Sequence, residues 1–491
     1  MVRGTRKNPG SRARAQSRAR TQSRTRTQSR TRPQMGPEIP PADVLCVGAG
    51  IAGAYMCYKL TEKHHAASHE PIRVLEAAPS IGGRMKSVRH TGVGYSVDEA
   101  VLPPELGAMR IFKCREMVPI YDLLHKFGIK TVHVGLDDTN NIFYYKNRRM
   151  AKCDVRLKGV SMTEFDKTVW RRIKHRYPRI TPHNSHTVAE FQENNLQHLM
   201  KRYGKLSDAE YDMWVAFYGY DEPNTVQATF WLQSHKFYTT ALSSKQEYVV
   251  GGTMSLVEKL FEHSRVRVTC GTKVVRVDTD PDGIHSVHAI NDKHVSRIYK
   301  CRHLVLAITP NAVRDLHIVS PLAISRERMR LIGGIRTYAL FKCFLRWDDA
   351  SVWWGKGTPY QYGKSVTDLG VRQVHYYGRN YVLVYCSGKY ADALGRKFEK
   401  NPVAAARTVF TQICRIHGRA LPAPQYERTV SQYWANGSSD WGLGVDQAVA
   451  VSTIPSGVKD GSNISVVGDM YSMCGGWMVG AIQSANMALG C

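Results

Sequence analysis

A chain of 491 residues exceeds what one hydrophobic core usually holds, so two or three domains are the default organisation. With 43% hydrophobic and 10% aromatic residues it can build sizeable cores, yet no apolar run approaches the roughly 18 residues that span a bilayer. The formal charge of +27 points toward polyanions, and about 11 of those charges crowd into residues 1–34, which hold no acid. The N-terminus lacks an apolar stretch of the secretory kind. The 11 cysteines are scattered without CxxC pairs, which predicts reduced thiols, an intracellular soluble protein and no metal site.

Residues 11–34 read SRARAQ, SRARTQ, SRTRTQ, SRTRPQ, four imperfect hexads with two arginines each. Such a segment cannot bury enough apolar surface to order itself, so residues 1–40 are expected to form a disordered tail. Three uses fit it: attachment to nucleic acid or another polyanion, with nuclear or particle association; targeting to an organelle; or a solvated extension with no partner.

After Pro41 the texture changes. Residues 43–47 have strand character and run into Gly48-Ala49-Gly50-Ile51-Ala52-Gly53; residues 54–60 read as helix, and 73–76 as a second strand ending on Glu76. In this β-α-β opening the glycines let the backbone approach a pyrophosphate at a helix N-terminus. Glu76, 23 residues past Gly53, stands where a carboxylate takes both ribose hydroxyls of a dinucleotide. Residues 131–244 read as mainly helical, with Ser161/Glu164, Thr187/Glu190 and Ser207/Glu210 at capping-box spacing. Strand patterns return at 265–270 and 273–280, with a turn at Asp282-Gly283, and then at 303–310, 335–347, 372–386 and 464–469; a last helix covers 480–489. Dinucleotide-domain texture thus occurs in three separated pieces. The expected organisation is one domain from 41–90, 245–325 and 455–491, a second from 91–130 and 326–454, and a helical domain over 131–244.

Beyond Glu76 comes "IGGRM" (81–85), and here the chain resembles the flavin-containing amine oxidase superfamily, in which a strand-end Glu followed by GGR forms the FAD signature. Within it, "GAMRI" (107–111), "YVVGGTMSL" (248–256), "GKSVTDLGVRQVHYY" (363–377) and "VGDMYSMCGGWMVGAIQSA" (467–485) resemble, in the same order, segments of L-amino-acid oxidases and related amino-acid monooxygenases. The resemblance implies an α/β fold: a discontinuous Rossmann-type FAD-binding domain of the glutathione-reductase kind, a mixed-sheet substrate domain and a helical insertion. It implies non-covalent FAD, since no cysteine between Trp434 and Val451 matches the one that some relatives link to the flavin. The implied cofactor contacts are Gly48, Gly50, Ala52, Gly53, Glu76, Gly83, Arg84, Gly107, Ala108, Met109, Arg110, Val274, Gly468, Asp469, Trp477, Met478 and Val479.

The resemblance further implies that Arg110 grips the substrate carboxylate, that Lys342 reaches a water beside the flavin, that Tyr385 assists with the carboxylate, and that Trp477 walls the pocket, with Trp434 nearby. By pattern alone, Lys342 is either a buried ammonium needing oxygen around it or a solvent-facing residue of an amphipathic strand, and Tyr385 fits a core equally well. The reaction implied is hydride transfer from the Cα of an L-amino acid to flavin, with O₂ completing the cycle to 2-oxo acid, ammonia and hydrogen peroxide. An amino-acid 2-monooxygenase releasing amide and CO₂ shares every motif; a monoamine or polyamine oxidase would leave Arg110 without a carboxylate; and a non-catalytic flavin fold tethered to nucleic acid by its tail remains a further reading. The base is left open among 19 histidines, His235 included, and a homodimer is suggested by the resemblance alone.

Overall fold

The computed structural model describes residues 41–64, 72–88, 102–133, 140–181, 183–221, 223–229, 231–233, 246–320, 323–355, 358, 363–377, 380–457 and 461–491. The Arg-rich segment and His235 lie outside them.

The first sheet grows from the opening apolar run. Strand Ala42–Val47 lies between Arg73–Leu75 and Ser296–Leu306, all parallel; Val268–Thr269 extends the layer on one side and Ile464–Val466 on the other. Residues 44–47, 304–306 and 464–466 of this layer are buried on both faces, which explains the mainly apolar sequence there. Ser296–Leu306 also pairs antiparallel with His285–Asn291, which pairs with Thr272–Thr279, so one long strand joins a meander to the parallel layer. Helices Ile51–His64, Met254–Ser264 and Met478–Leu489 pack together on one face, around Met56, Leu260 and Ile482.

The second sheet has seven strands in the order Val430–Trp441, Ile335–Arg346, Tyr381–Ser387, Gln373–Tyr377, Lys364–Thr367, Ile142–Tyr145 and Arg148–Ala151. It is antiparallel except between Lys364–Thr367 and Ile142–Tyr145. Its last two strands come from the stretch expected to be helical. Aromatic and aliphatic residues 142–145 form a buried strand beside the edge, and Lys146 and Asn147 both adopt positive φ (47° and 63°), the two-residue turn that closes a hairpin. Without an Asn-Gly pair that turn is silent in the sequence. The region 372–386 similarly divides into Gln373–Tyr377 and Tyr381–Ser387, and only Val268–Thr269 of 265–270 is strand.

The helical layer, Met162–Arg176, Leu196–Gly204 and Asp208–Tyr218 with shorter turns, packs over Phe143 and Val366 of this sheet. Ser207 and Glu210 form a complete capping box. Ser161 accepts from the Glu164 amide, but Glu164 turns to Lys167 at 2.7 Å. Thr187 caps nothing: the helix Ala189–Glu193 starts after Val188 without a side-chain cap. Glu190 instead accepts from the Tyr177 and Tyr203 hydroxyls at 2.6 and 2.9 Å, so tertiary partners override the local motif. Among the described residues no helix is long and apolar enough to cross a membrane.

Asp166 joins two of these helices, accepting from Trp214 Nε1 at 3.0 Å and from the Tyr218 hydroxyl. Burial pushes its carboxyl up from 3.8 to about 6, with the two hydrogen bonds opposing. The folded chain therefore holds a proton there that the unfolded chain releases, and the resulting stability is lost as pH rises through the folded value. Asp166→Asn carries no such dependence. The stability of wild type relative to this variant should fall by up to about 3 kcal/mol between about pH 4 and about pH 7 and then level off, measured by urea unfolding across that range.

Candidate active site

A cavity of about 1140 Å³ runs from the glycine turn at Gly48 to the second sheet at Tyr385 and His375, with Trp214 and Tyr218 of the helical layer along its wall. Its first part is built by the β-α-β opening. The helix Ile51–His64 starts at the cavity wall and has no acid in its own first turn, so the positive end of its dipole faces the space there. A Cβ on Gly50 would meet nothing nearer than Gly82 O at 3.9 Å and would project into the space instead. Glu76 accepts from the Ala49 amide at 2.7 Å and the Ala78 amide at 2.8 Å, which orients both carboxylate oxygens; each keeps a second lone pair for a ligand.

The opposite wall is charged. Arg84 and Asp469, 385 residues apart, form a two-pronged ion pair, one arm at 3.2 Å, and Asp469 also takes the Gly476 amide at 3.2 Å. The GGR segment and the closing motif are thereby joined directly. Trp477 lines the cavity and packs on Phe112, ring centres 5.3 Å apart, and Phe112 carries the Arg110 guanidinium at 6.0 Å.

The segment 104–110 crosses between the two sheets. Gly107 comes so close to Arg84 that a Cβ would lie 1.7 Å from its carbonyl oxygen. The carbonyls of Glu105 and Gly107 accept from Lys342 Nζ at 3.0 and 2.5 Å. Lys342 sits mid-strand in Ile335–Arg346, 6% exposed, and so is the buried ammonium surrounded by oxygen rather than a solvent-facing residue. The Glu105 carboxylate, 2% exposed, anchors the crossing: it accepts from the Thr253 amide at 2.6 Å, the Thr253 hydroxyl at 3.2 Å and Ser87 Oγ at 2.9 Å. Burial pushes Glu105 above the usual carboxylate range against these donors. Burial likewise pushes Lys342 below the usual ammonium range, against the attraction of Glu105.

Strand register sets the rest. Lys342, Tyr385 and Gln373 are directly opposite one another on three adjacent strands and so share one face. Lys342 Nζ lies 5.5 Å from the Tyr385 ring centre, and the Tyr220 ring meets Tyr385 edge-on at 6.0 Å. Arg110 donates to the Tyr220 hydroxyl at 3.3 Å, and Lys364 lies 5.0 Å over the Tyr220 face. Three cations thus ring a pair of tyrosines at one end of the cavity. Burial raises the Tyr385 hydroxyl well above its ordinary pKa, so it stays protonated and a donor.

Of the residues singled out from sequence, Gly48, Gly50, Ala52, Glu76, Gly83, Arg84, Gly107, Ala108, Met109, Arg110, Lys342, Tyr385, Trp434, Gly468, Asp469, Trp477 and Met478 share the cavity wall. Gly53, Val274 and Val479 are not part of it. Gly53 packs against Gly48 O, while Val274 and Val479 are buried in the cores of the first sheet and the last helix. Glu105, Tyr220, Lys364, Gln373 and His375 were missed. Glu105 stands five residues before Arg110 in an apolar stretch and carried a signal of its own, a carboxylate that must be satisfied if buried.

The family model for flavin containing amine oxidoreductase matches residues 50–488. The chain belongs to that family. As a flavin-containing amine oxidoreductase it is 22% identical over 359 residues to L-amino-acid oxidases of Demansia vestigiata and Cerastes cerastes, covering 70% of this chain and 64% of each of theirs. The chain thus spans less than two thirds of the length of those oxidases. An uncharacterised protein of Acanthamoeba polyphaga mimivirus is also 22% identical, over 386 residues, with 71% of each chain covered. A triple mutant of putrescine oxidase, redesigned in cofactor binding, superposes with a TM-score of 0.65 at 15% identity, over 92% of this chain and 98% of its own. The fold is accordingly the parallel-sheet flavin domain plus mixed-sheet domain of the flavin amine oxidases.

Members of this family contain a flavin, and the residues here fit one: a helix start with no acid in its first turn, glycine-lined space and an oriented carboxylate along one wall. Glu105→Ala would leave the buried Thr253 amide without an acceptor, a loss of about 1–3 kcal/mol. Thermal and urea unfolding should show that destabilisation, with Glu105→Gln intermediate because one acceptor oxygen remains.

Proposed function

We propose that this enzyme oxidises an L-amino acid with non-covalently bound FAD. The observation that supports the reading is the ring of Arg110, Lys342 and Lys364 around Tyr220 and Tyr385. A concentration of positive charge attracts a carboxylate and repels the ammonium groups of a di- or polyamine. Four of the acids along the cavity are engaged: Asp166 by Trp214, Asp221 by Arg372 at 2.6 Å, Asp469 by Arg84 and Asp392 by the Tyr433 hydroxyl at 2.5 Å.

The chemistry the cofactor supplies is acceptance of a hydride and its electrons' passage to O₂. Everything else falls to the chain. Glu76 and the helix start at Ile51 would hold the ribose and pyrophosphate of FAD, and Arg84, Asp469 and Trp477 its flavin half. Arg110, helped by the Tyr385 hydroxyl, would fix the carboxylate and so restrict how Cα is presented. Carbonyl-bound Lys342 would hold a water at its third donor. Water then hydrolyses the released imine to 2-oxo acid and ammonia.

Purified protein should be yellow and should bleach anaerobically with members of a panel of L-amino acids but not with putrescine or spermidine. Mass analysis of the product decides between 2-oxo acid and amide. Arg110→Ala should raise KM for the amino acid by at least tenfold with the flavin spectrum retained, since a hydrogen bond to a charged group contributes about 1.5–3 kcal/mol. A protein reduced by diamines alone overturns the reading.

A further inference from the structure

One pocket group serves neither the cofactor wall nor the carboxylate clamp. His375 is 6% exposed, lines the cavity and stands directly opposite Lys364 in the sheet. Its ring centre is 6.5 Å from that of Tyr385.

The surrounding hydrogen bonds determine which imidazole nitrogen carries the proton. An ammonium only donates, and Lys364 Nζ donates to Gln373 Oε1 at 3.1 Å. Gln373 Nε2 donates to the Gly219 carbonyl at 2.8 Å, so the amide cannot be turned over. Gln373 Oε1 is therefore an acceptor, and His375 Nε2, 3.0 Å away, must donate to it. Nδ1 is left as a bare lone pair. Among the described residues no group meets this nitrogen, and it is not among the polar atoms sealed in the interior, so it opens on the cavity that His375 lines. The ring is also held neutral: burial, then the charges of Lys364, Arg110, Lys342 and Lys152, push its pKa well below the ordinary value.

We propose that His375 Nδ1 accepts a hydrogen bond from the α-amino group of the bound substrate, with Gln373 and Lys364 as positioning residues that hold it in the accepting tautomer. The inference rests on the amino-acid reading. An amino acid brings a carboxylate, which needs donors, and an amine, which needs an acceptor. Arg110 and the Tyr385 hydroxyl offer donors; Nδ1 offers the complementary acceptor on the same cavity wall, the His375 ring centre 6.5 Å from that of Tyr385. Among these cations the imidazole takes a hydrogen bond without taking the proton, so it orients the amine and is not the base.

The test uses the flavin-loaded enzyme and two probes: the L-amino acid, from a panel of twenty, that reduces wild type fastest, and the carboxylate with the same side chain but no amine. Binding of the second is read by tryptophan fluorescence. His375→Phe should raise KM for the amino acid about tenfold, the weight of one hydrogen bond, and leave the amine-free carboxylate bound within about twofold of wild type. His375→Asn, whose Oδ1 restores an acceptor near Nδ1, should recover most of the loss. Equal weakening of both probes, no change in either, or loss of flavin in both variants would make His375 a shape-filling residue and overturn the proposal. If no L-amino acid reduces wild type, the functional reading falls and this proposal with it; if wild type is reduced and the variants match it, only this proposal falls.

Discussion

A buried ammonium in an apolar strand must be surrounded by oxygen, and the site is organised around meeting that demand for Lys342. The strand Ile335–Arg346 supplies none, because its neighbours there are Phe341 and Cys343. The oxygens come from the carbonyls of Glu105 and Gly107, which requires the segment 104–110 to cross the cavity floor at one height and in one orientation. That orientation depends in turn on the Glu105 carboxylate gripping Thr253 and Ser87, both in the first sheet's half of the molecule. The two sheets are thus tied together through one lysine, one glutamate and a glycine with no room for a side chain. Arg110 inherits its position from the same crossing.

Charge is the second organising constraint. Arg110, Lys342 and Lys364 gather at the tyrosine pair, while Asp469, Asp221 and Asp166 of the cavity wall are held by Arg84, Arg372 and indole and phenol donors. A site of this sign favours anionic groups, and burial together with the same charges lowers the pKa of His375 well below the ordinary imidazole value.

Motifs whose meaning lies within a few residues were legible in the sequence. The glycines of 48–53 and Glu76 were recognisable because strand, turn and helix there are contiguous and the dinucleotide site is built from that one unit. Ser207 and Glu210 formed the expected capping box for the same reason, whereas Glu190 was drawn away by Tyr177 and Tyr203, which no local spacing reveals. The hairpin at 142–151 was hidden because a Lys-Asn turn lacks the glycine that usually betrays one.

By itself, then, the sequence determined the nucleotide-binding opening, the order of the family's segments and the presence of a charged residue in each place where one would matter. Only the tertiary structure decided what those charges face. Strand register set Lys342, Tyr385 and Gln373 in one row, and the crossing of 104–110 brought Glu105 to Thr253, 148 residues away. The physical reason is that a motif is written along the chain, whereas a buried charge is satisfied through space, by partners that folding alone selects.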